Sequence, residues 1–173
     1  ETAVSMLLKR GMTLEEARDY CVVGCVEVSP SGCLAGWTNA AQFNVAKCFE
    51  LAMNQGVCAL TKVQIGPRTQ DPTLFTSLDQ VIEAFKIQLS FFIEKMIETL
   101  NCIIKLQADF TPFPFTSALL DGCLENGRDL TKAGAKYNSI GVNAVAIPDV
   151  GDSLAALEYL VFREHKVDMP TIV

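Results

Sequence analysis

The chain has 173 residues, half of them hydrophobic and 20% charged, with a formal net charge of −6. This composition excludes an intrinsically disordered chain, and the absence of basic clusters argues against nucleic-acid binding. The mean hydropathy of +0.27 is high, yet no apolar stretch reaches the ~18 residues that indicate a membrane span. We therefore expect no membrane association. We also expect the excess of apolar residues to be buried inside a larger protein.

The first half of the chain predicts two helices and one strand. Thr13 and Glu16 have the spacing of a capping box, which predicts a short helix over residues 13–20. The run YCVVGCVEV at 20–28 predicts one strand buried on both faces. A turn at 29–32 and a loop at 33–37 lead to a second predicted helix over 40–54, because apolar residues recur there at helical spacing.

The second half predicts one long helix and two shorter ones. A loop at 66–77 precedes a broad apolar stripe that predicts a single helix over 78–108. A proline-containing break then separates it from a short helix predicted at 116–126, and the alternating stretch up to Ile147 predicts either a strand or an extended loop. The last predicted helix covers 148–164. Strands alternating with helices are typical of an α/β fold.

The seven cysteines favour neither a disulfide framework nor a zinc site, since their number is odd and their spacing is not that of metal ligands. Reduced cytoplasmic thiols are the simplest interpretation, and Cys48, Cys102 and Cys123 are expected to be buried because they fall on apolar faces. The single histidine, His165, is expected to face solvent.

The segment Gly24-Cys25-Val26-Glu27 carries the strongest chemical signal. If it is extended, Cys25 and Glu27 point to one face and Val26 to the other. A carboxyl group buried without a cation nearby is costly and has a raised pKa, which suits general acid–base chemistry beside a sulfur centre. The alternative is a pair at the end of a strand that simply reaches solvent.

The stretch 18–56 resembles the active-site strand and loop of glycyl radical enzymes, in the pyruvate formate-lyase-like or glycerol dehydratase-like branch. The resemblance continues through GPRTQDPTLFTSLDQVIEAF, TPFPFTSALLDGC, AGAKYN and DSLAALEYLVF, and so covers nearly the whole chain. It implies that Cys25 becomes a transient thiyl radical that abstracts hydrogen from the substrate, and that Glu27 is the general base. It also implies a section of the second half of a ten-stranded α/β barrel.

The same resemblance implies that residues 1–173 are one part of a catalytic barrel, without its N-terminal half and its C-terminal glycyl radical domain. The R-V-x-G-Y motif of that domain does not occur here, so the segment alone is expected to be inactive. No cofactor is expected in the segment itself. The glycyl radical would be installed by a radical S-adenosylmethionine activase, and family members commonly form homodimers.

Substrate contacts implied by the resemblance come from Trp37, Thr38, Asn39 and Gln42. Glycerol-dehydratase-like members have histidine and aspartate where this chain has Thr38 and Asn39, which argues against glycerol or propanediol as the substrate. Members that cleave choline have tyrosine at the place of Gln42, so choline is not expected either. For Trp37, packing of the loop against the barrel is the equally weighted alternative.

The predicted activity is cleavage of a C–O, C–N, C–S or C–C bond in a small polar molecule. A second interpretation is a non-catalytic remnant or binding module derived from the same fold, and a third is a stand-alone helical thiol protein. A downstream R-V-x-G-Y loop in the full-length gene would favour the enzyme, and a stop codon soon after Val173 would favour the remnant.

Overall fold

A computed structural model describes residues 2–25 and 27–173, while Glu1 and Val26 lie outside the described residues. Short helices and strands make up most of the described elements, and one helix, Leu78–Phe110, is much longer than the others. In chain order the elements are α1 (Thr2–Lys9), α2 (Leu14–Arg18), β1 (Tyr20–Val23), β2 (Glu27–Pro30), β3 (Leu34–Asn44), α3 (Val45–Ala52), α4 (Leu78–Phe110), α5 (Pro114–Ser117), β4 (Tyr137–Val145), α6 (Ile147–Leu157) and α7 (Met169–Ile172). Single 3₁₀ turns occur at Pro72–Leu74 and Leu130–Lys132, and a π-helical segment at Glu158–Arg163 continues α6.

The capping box predicted before α2 is confirmed. The Thr13 hydroxyl accepts a hydrogen bond from the Glu16 amide, and the Glu16 carboxylate accepts one from the Thr13 amide. Two of the amide groups that have no partner inside the helix are thereby satisfied.

The prediction of a single strand over 20–28 is wrong, because the run folds into an antiparallel hairpin. Strands β1 and β2 pair from Tyr20–Pro30 to Val23–Glu27, so the connection lies between Val23 and Glu27. All four residues of β1 are exposed, in contrast to the predicted burial on both faces. Gly24, with a φ of +63°, turns the chain at a point where the β-branched residues alone predict that the strand continues.

The predicted helix over 40–54 begins later than expected, because residues 34–44 form strand β3. Its contacts with β4 advance in the same direction along both strands: Tyr137 N–H donates to Cys33 O, and Gly141 lies against Thr38. The two strands are therefore parallel. Pairing outweighs the helix propensity of Ala40 and Ala41, and the Asn44 side chain caps α3 by accepting from the Lys47 amide at 3.0 Å.

The chain divides into two compact units, Glu1–Ala41 with Leu100–Val142 and Gln42–Thr99 with Asn143–Val173. The core of the first unit is formed by the buried side chains of Leu7, Met12 and Ala17, against which Val28 and Tyr137 pack. It joins α1 and α2 to the second strand of the hairpin and to the start of β4.

The second unit has the larger core. Its buried members are Ala52, Phe75, Val81, Ala84, Leu157, Val161 and Met169. Gln88 is also buried in this unit, and its amide donates to the carbonyl of Pro67 at 2.6 Å, which holds the loop before α4 against the helix.

The predictions for the second half are largely confirmed. Helix α4 covers 78–110, the alternating stretch is strand β4, and α6 with its π-helical continuation covers 147–163. The helix predicted at 116–126 is wrong: α5 ends at Ser117, where the Asp129 carboxylate holds the hydroxyl, and turns follow. Within residues 2–25 and 27–173, none of the helices is both long and apolar enough for a transmembrane segment.

Candidate active site

Cys25 lies in the tight connection between β1 and β2, and its side chain is exposed. Glu27, the first residue of β2, is half-buried, and its carboxylate accepts a hydrogen bond from the Cys25 amide at 3.0 Å. The sequence predicted that strand alternation brings the two residues to one side, whereas a turn and this hydrogen bond bring them together. The part of that prediction that concerns Val26 falls outside the described residues.

Gly24 makes this arrangement sterically possible. Its φ of +63° lies in the left-handed region that favours glycine. A Cβ atom at this position would lie 2.8 Å from Oε2 of Glu27, closer than a carbon and an oxygen ordinarily approach. Glycine at position 24 therefore allows the turn and leaves room for the Glu27 carboxylate.

The base of the hairpin is tied to the first unit by backbone and side-chain contacts. The Ser31 amide donates to the carbonyl of Asp19, which directly follows α2. Cys21 Sγ lies 3.4 Å from the carbonyl oxygen of Ser29, across the two strands. Val28 packs on the core formed by α1 and α2. These contacts fix the strands while leaving the Cys25 side chain exposed.

A charged cluster then holds α2 against β4. The Glu16 carboxylate accepts hydrogen bonds from the Lys136 ammonium group and, at 3.0 Å, from the Tyr137 hydroxyl. The hydrogen bond from Lys136, followed by those from Thr13, lowers the pKa of Glu16 to about 2. Burial, and then the hydrogen bond to Glu16, raises the pKa of Tyr137. Glu16 is thus ionised and Tyr137 neutral at any physiological pH.

The four residues predicted to contact the substrate all lie on β3, which the sequence analysis treated as a loop followed by a helix. Asn39 and Gln42 are exposed, while Trp37 and Thr38 are half-buried. Gln42 belongs to the second unit, and the other three residues belong to the first.

Trp37 borders a cavity of about 520 Å³ in the first unit. Apolar side chains from α4 and β4, including Ile104 and Ile140, line it together with the polar side chains of Gln107 and Asn138. Asn138 also donates to the carbonyl of Ala135 at 2.8 Å, which fixes the turn before β4. Trp37 is half-buried and borders this open space, so packing of β3 and contact with a substrate both remain predictions for this residue.

Three features of this site were beyond the sequence analysis. The sequence alone assigns no role to Tyr137, and the structure places it in the cluster that holds α2. The contact of Gly24 with Glu27 was also not foreseen, although a glycine before the cysteine was the available signal. For Glu16 and Lys136, 120 residues apart, no local pattern indicates a contact.

The remaining cysteines behave mostly as predicted. Cys48 and Cys123 are buried, and burial raises the pKa of both thiols. Cys102 is exposed, so its predicted burial is wrong; it lies on the solvent side of α4 and not on its apolar stripe. His165 is exposed as expected. Among residues 2–25 and 27–173, no group of three or more His, Cys, Asp or Glu side chains is arranged to hold a metal ion.

The hairpin with its exposed cysteine and adjacent carboxylate belongs to a helix-rich section of the α/β barrel of glycyl radical enzymes. The family model described as pyruvate formate lyase-like matches residues 1–173. The chain belongs to this pyruvate formate-lyase-like family.

Several similar proteins are named as dehydratases. The chain is 39% identical to (2S)-3-sulfopropanediol dehydratase of Klebsiella oxytoca over 95% of its length and 20% of that protein. It superposes on the glycerol-bound glycerol dehydratase of Clostridium butyricum with a TM-score of 0.93 and 38% identity, covering 98% of this chain and 21% of that one. For hydroxyproline dehydratase of Clostridioides difficile with trans-4-hydroxy-L-proline bound, the TM-score is 0.94, with 38% identity and the same coverage. The chain thus spans about a fifth of the length of these relatives.

Proposed function

We propose that this segment carries the hydrogen-abstracting cysteine and the general base of a glycyl radical dehydratase. The observation that carries the proposal is the hairpin turn, which presents an exposed Cys25 thiol and holds the Glu27 carboxylate on the amide of the same cysteine. The arrangement fits a radical relay, because sulfur at an exposed turn is reachable both by a radical donor and by a substrate. A glycyl radical from elsewhere in the full-length enzyme, installed by a radical S-adenosylmethionine activase, would supply the unpaired electron.

In the proposed reaction Cys25, as a thiyl radical, removes a hydrogen atom from a substrate carbon, so that an S–H bond forms and a C–H bond breaks. Glu27 accepts the proton of the hydroxyl on that carbon, the bond from the neighbouring carbon to its hydroxyl breaks, and that hydroxyl leaves as water with the proton that Glu27 returns. The product radical then takes the hydrogen atom back from Cys25, and the thiyl is regenerated. The hydrogen bond from the Cys25 amide orients the carboxylate toward the same turn.

Among the four bond types considered, C–O cleavage is favoured. The similar proteins at 37–39% identity are dehydratases, whereas isethionate sulfite-lyase of Desulfovibrio desulfuricans is 30% identical. Asn39 and Gln42 each carry an exposed amide, a group that can hydrogen-bond a hydroxyl, a carboxylate or a sulfonate. We therefore propose a small hydroxylated anion as the substrate, with Trp37 and Thr38 as further contacts.

The test is anaerobic turnover by the activated full-length enzyme with Cys25 replaced by Ser or Ala. Both variants are expected to abolish turnover, because a serine O–H bond is too strong for a glycyl radical to open. The glycyl radical signal in electron paramagnetic resonance is expected to persist, since activation does not require the substrate thiol. Normal turnover by either variant would exclude Cys25 as the hydrogen-abstracting residue.

The non-catalytic alternative makes the opposite prediction. If the segment belongs to a remnant or binding module, the full-length wild-type protein acquires no glycyl radical signal on treatment with an activase. The inactivity of the isolated segment and the dimeric state of the full-length protein remain predictions.

A further inference from the structure

A second cysteine, Cys58, has a different chemical setting from the other thiols of this chain. Its Sγ atom accepts a hydrogen bond from Lys47 Nζ at 3.0 Å, and Lys47 also contacts the Glu50 carboxylate at 2.8 Å. Lys47 and Glu50 lie on consecutive turns of α3, and Cys58 begins the turn that follows, where the Lys62 amide donates to the Cys58 carbonyl at 2.8 Å. All of these residues belong to the second unit.

The surroundings of Cys58 stabilise the thiolate. Hydrogen bonds, first from Lys47 and then from the hydroxyl and amide of Thr61, lower the pKa of Cys58 to about 6. The hydrogen bond to Cys58 in turn raises the pKa of Lys47. Burial opposes the ionisation of Glu50, but hydrogen bonds from Lys47 and the Ala59 amide outweigh it, so its pKa is lowered. Near neutral pH the cluster therefore holds a thiolate, an ammonium group and a carboxylate.

Cys48 provides a contrast within the same unit. It is 3% exposed and Cys58 is 5% exposed, but Cys48 lies deeper in the protein than Cys58. Burial raises the pKa of Cys48 to about 11. Cys58, however, is covered by a short turn whose residues 59–62 are exposed, including Leu60 at 88%. Opening this turn gives a small molecule access to Sγ without unfolding the core.

We propose that Cys58 and Lys47 form an oxidant-sensitive pair, in which a hydroperoxide converts the 3.0 Å contact into a reversible covalent S–N link. Nothing in the proposed dehydratase reaction uses this cluster, so the site is a modification site independent of Cys25 and Glu27. Its substrate class is hydrogen peroxide or a small organic hydroperoxide.

The chemistry balances in two steps. The Cys58 thiolate attacks a peroxide oxygen, so that an S–O bond forms and the O–O bond breaks; sulfur is oxidised and the peroxide reduced by two electrons. The departing hydroxide takes the proton of the Lys47 ammonium group and leaves as water. The neutral Lys47 amine then attacks sulfur, forming S–N and breaking S–O, and the hydroxyl leaves with a nitrogen proton as a second water. Two equivalents of a thiol reductant restore the thiol and the amine and become a disulfide.

The pKa values of Cys58 and Cys48 determine the expected difference in their reactivity toward a hydroperoxide. At pH 7 about nine Cys58 side chains in ten are thiolate, whereas about one Cys48 thiol in ten thousand is ionised. The greater intrinsic nucleophilicity of the more basic thiolate offsets part of this ratio, which leaves Cys58 about 50-fold more reactive. Replacing Lys47 by Met removes the largest cause of the lowered pKa and is expected to slow oxidation of Cys58 about fivefold.

The experiment treats the full-length protein, before any activation, with hydrogen peroxide and identifies the products by peptide mass spectrometry. The expected product joins the peptides of Lys47 and Cys58, is lighter than their sum by two hydrogen atoms, and disappears on treatment with dithiothreitol. Lys47→Arg is the matched control, since it keeps the charge but supplies no free amine. This variant is expected to accumulate sulfenic acid that dimedone traps, with no link.

The wild-type protein alone also tests the proposal, so it does not depend on the folding of any variant. Alkylation of Cys58 by iodoacetamide is expected to rise with a midpoint near pH 6 and to exceed that of Cys48 throughout. Equal rates at Cys48 and Cys58, an unreactive Cys58 in the folded protein, or a link that persists in Lys47→Arg would each overturn the proposal.

Discussion

Replacing Gly24 by Ala tests the geometry of the proposed active site most sharply. Gly24 has a φ of +63°, and a left-handed conformation costs a residue with a Cβ about 1–2 kcal/mol. The added methyl group would lie 2.8 Å from Glu27 Oε2, and since ordinary contact begins at 3.4 Å, the oxygen must move by about 0.6 Å. The hydrogen bond from the Cys25 amide, now 3.0 Å long, is then lost or lengthened.

Because Oε2 is at the end of a flexible side chain, this displacement costs little stability but moves the proposed base. A 1 Å misplacement can cost about 100-fold in rate, so we expect a loss of about tenfold or more in kcat/KM. The matched control is Gly32→Ala, which has a similar φ of +68° but no atom within 4 Å of its added Cβ. It carries the same backbone strain at the other end of β2 and leaves Glu27 undisturbed.

The assay compares both variants as activated full-length enzymes under strict anaerobic conditions. Thermal unfolding is expected to shift by similar amounts in the two variants, and the glycyl radical signal to be retained in both. If Gly24→Ala retained the activity of Gly32→Ala, the contact between Gly24 and Glu27 would have no role in catalysis, and the proposed position of the base would be wrong.

Three further predictions concern the same enzyme. Glu27→Gln is expected to keep the fold and the glycyl radical signal but to lose about 10²–10⁴-fold in kcat, and a loss under about threefold would make Glu27 structural. The pKa of Glu16 is about 2 in the folded state and 4.5 ordinarily, so its stabilising effect is complete above about pH 4.5 and is lost as the pH falls toward 2. The free energy of unfolding, measured with urea, should therefore fall less from pH 6 to pH 2 in Glu16→Gln than in the wild type. A difference between the two proteins that stays constant over this pH range would contradict the prediction. In a substrate panel, a small hydroxylated anion is expected to be dehydrated, whereas efficient turnover of glycerol or choline, at ~10⁴ M⁻¹s⁻¹ or above, would refute the specificity inferred from Thr38, Asn39 and Gln42.

The sequence by itself determined the features that depend on neighbours along the chain. The capping box of Thr13 and Glu16 and the extent of helix α4 follow from spacing at one or two helical turns, and both are present. Family membership also followed from the sequence, because the Gly24–Glu27 segment and the stretches around it are conspicuous without a structure.

The tertiary structure decided the secondary structure of segments in which local signals conflict, and it decided the contacts between distant residues. Residues 20–28 satisfy the pattern of one buried strand, but Gly24 in the left-handed region and the pairing of Val23 with Glu27 make them a hairpin. Ala40 and Ala41 favour a helix, yet they belong to strand β3, which pairs with β4. The Lys136–Glu16 contact joins residues 120 positions apart. Local periodicity does not encode which residue on another element a side chain contacts. Such contacts are therefore known only from the folded structure.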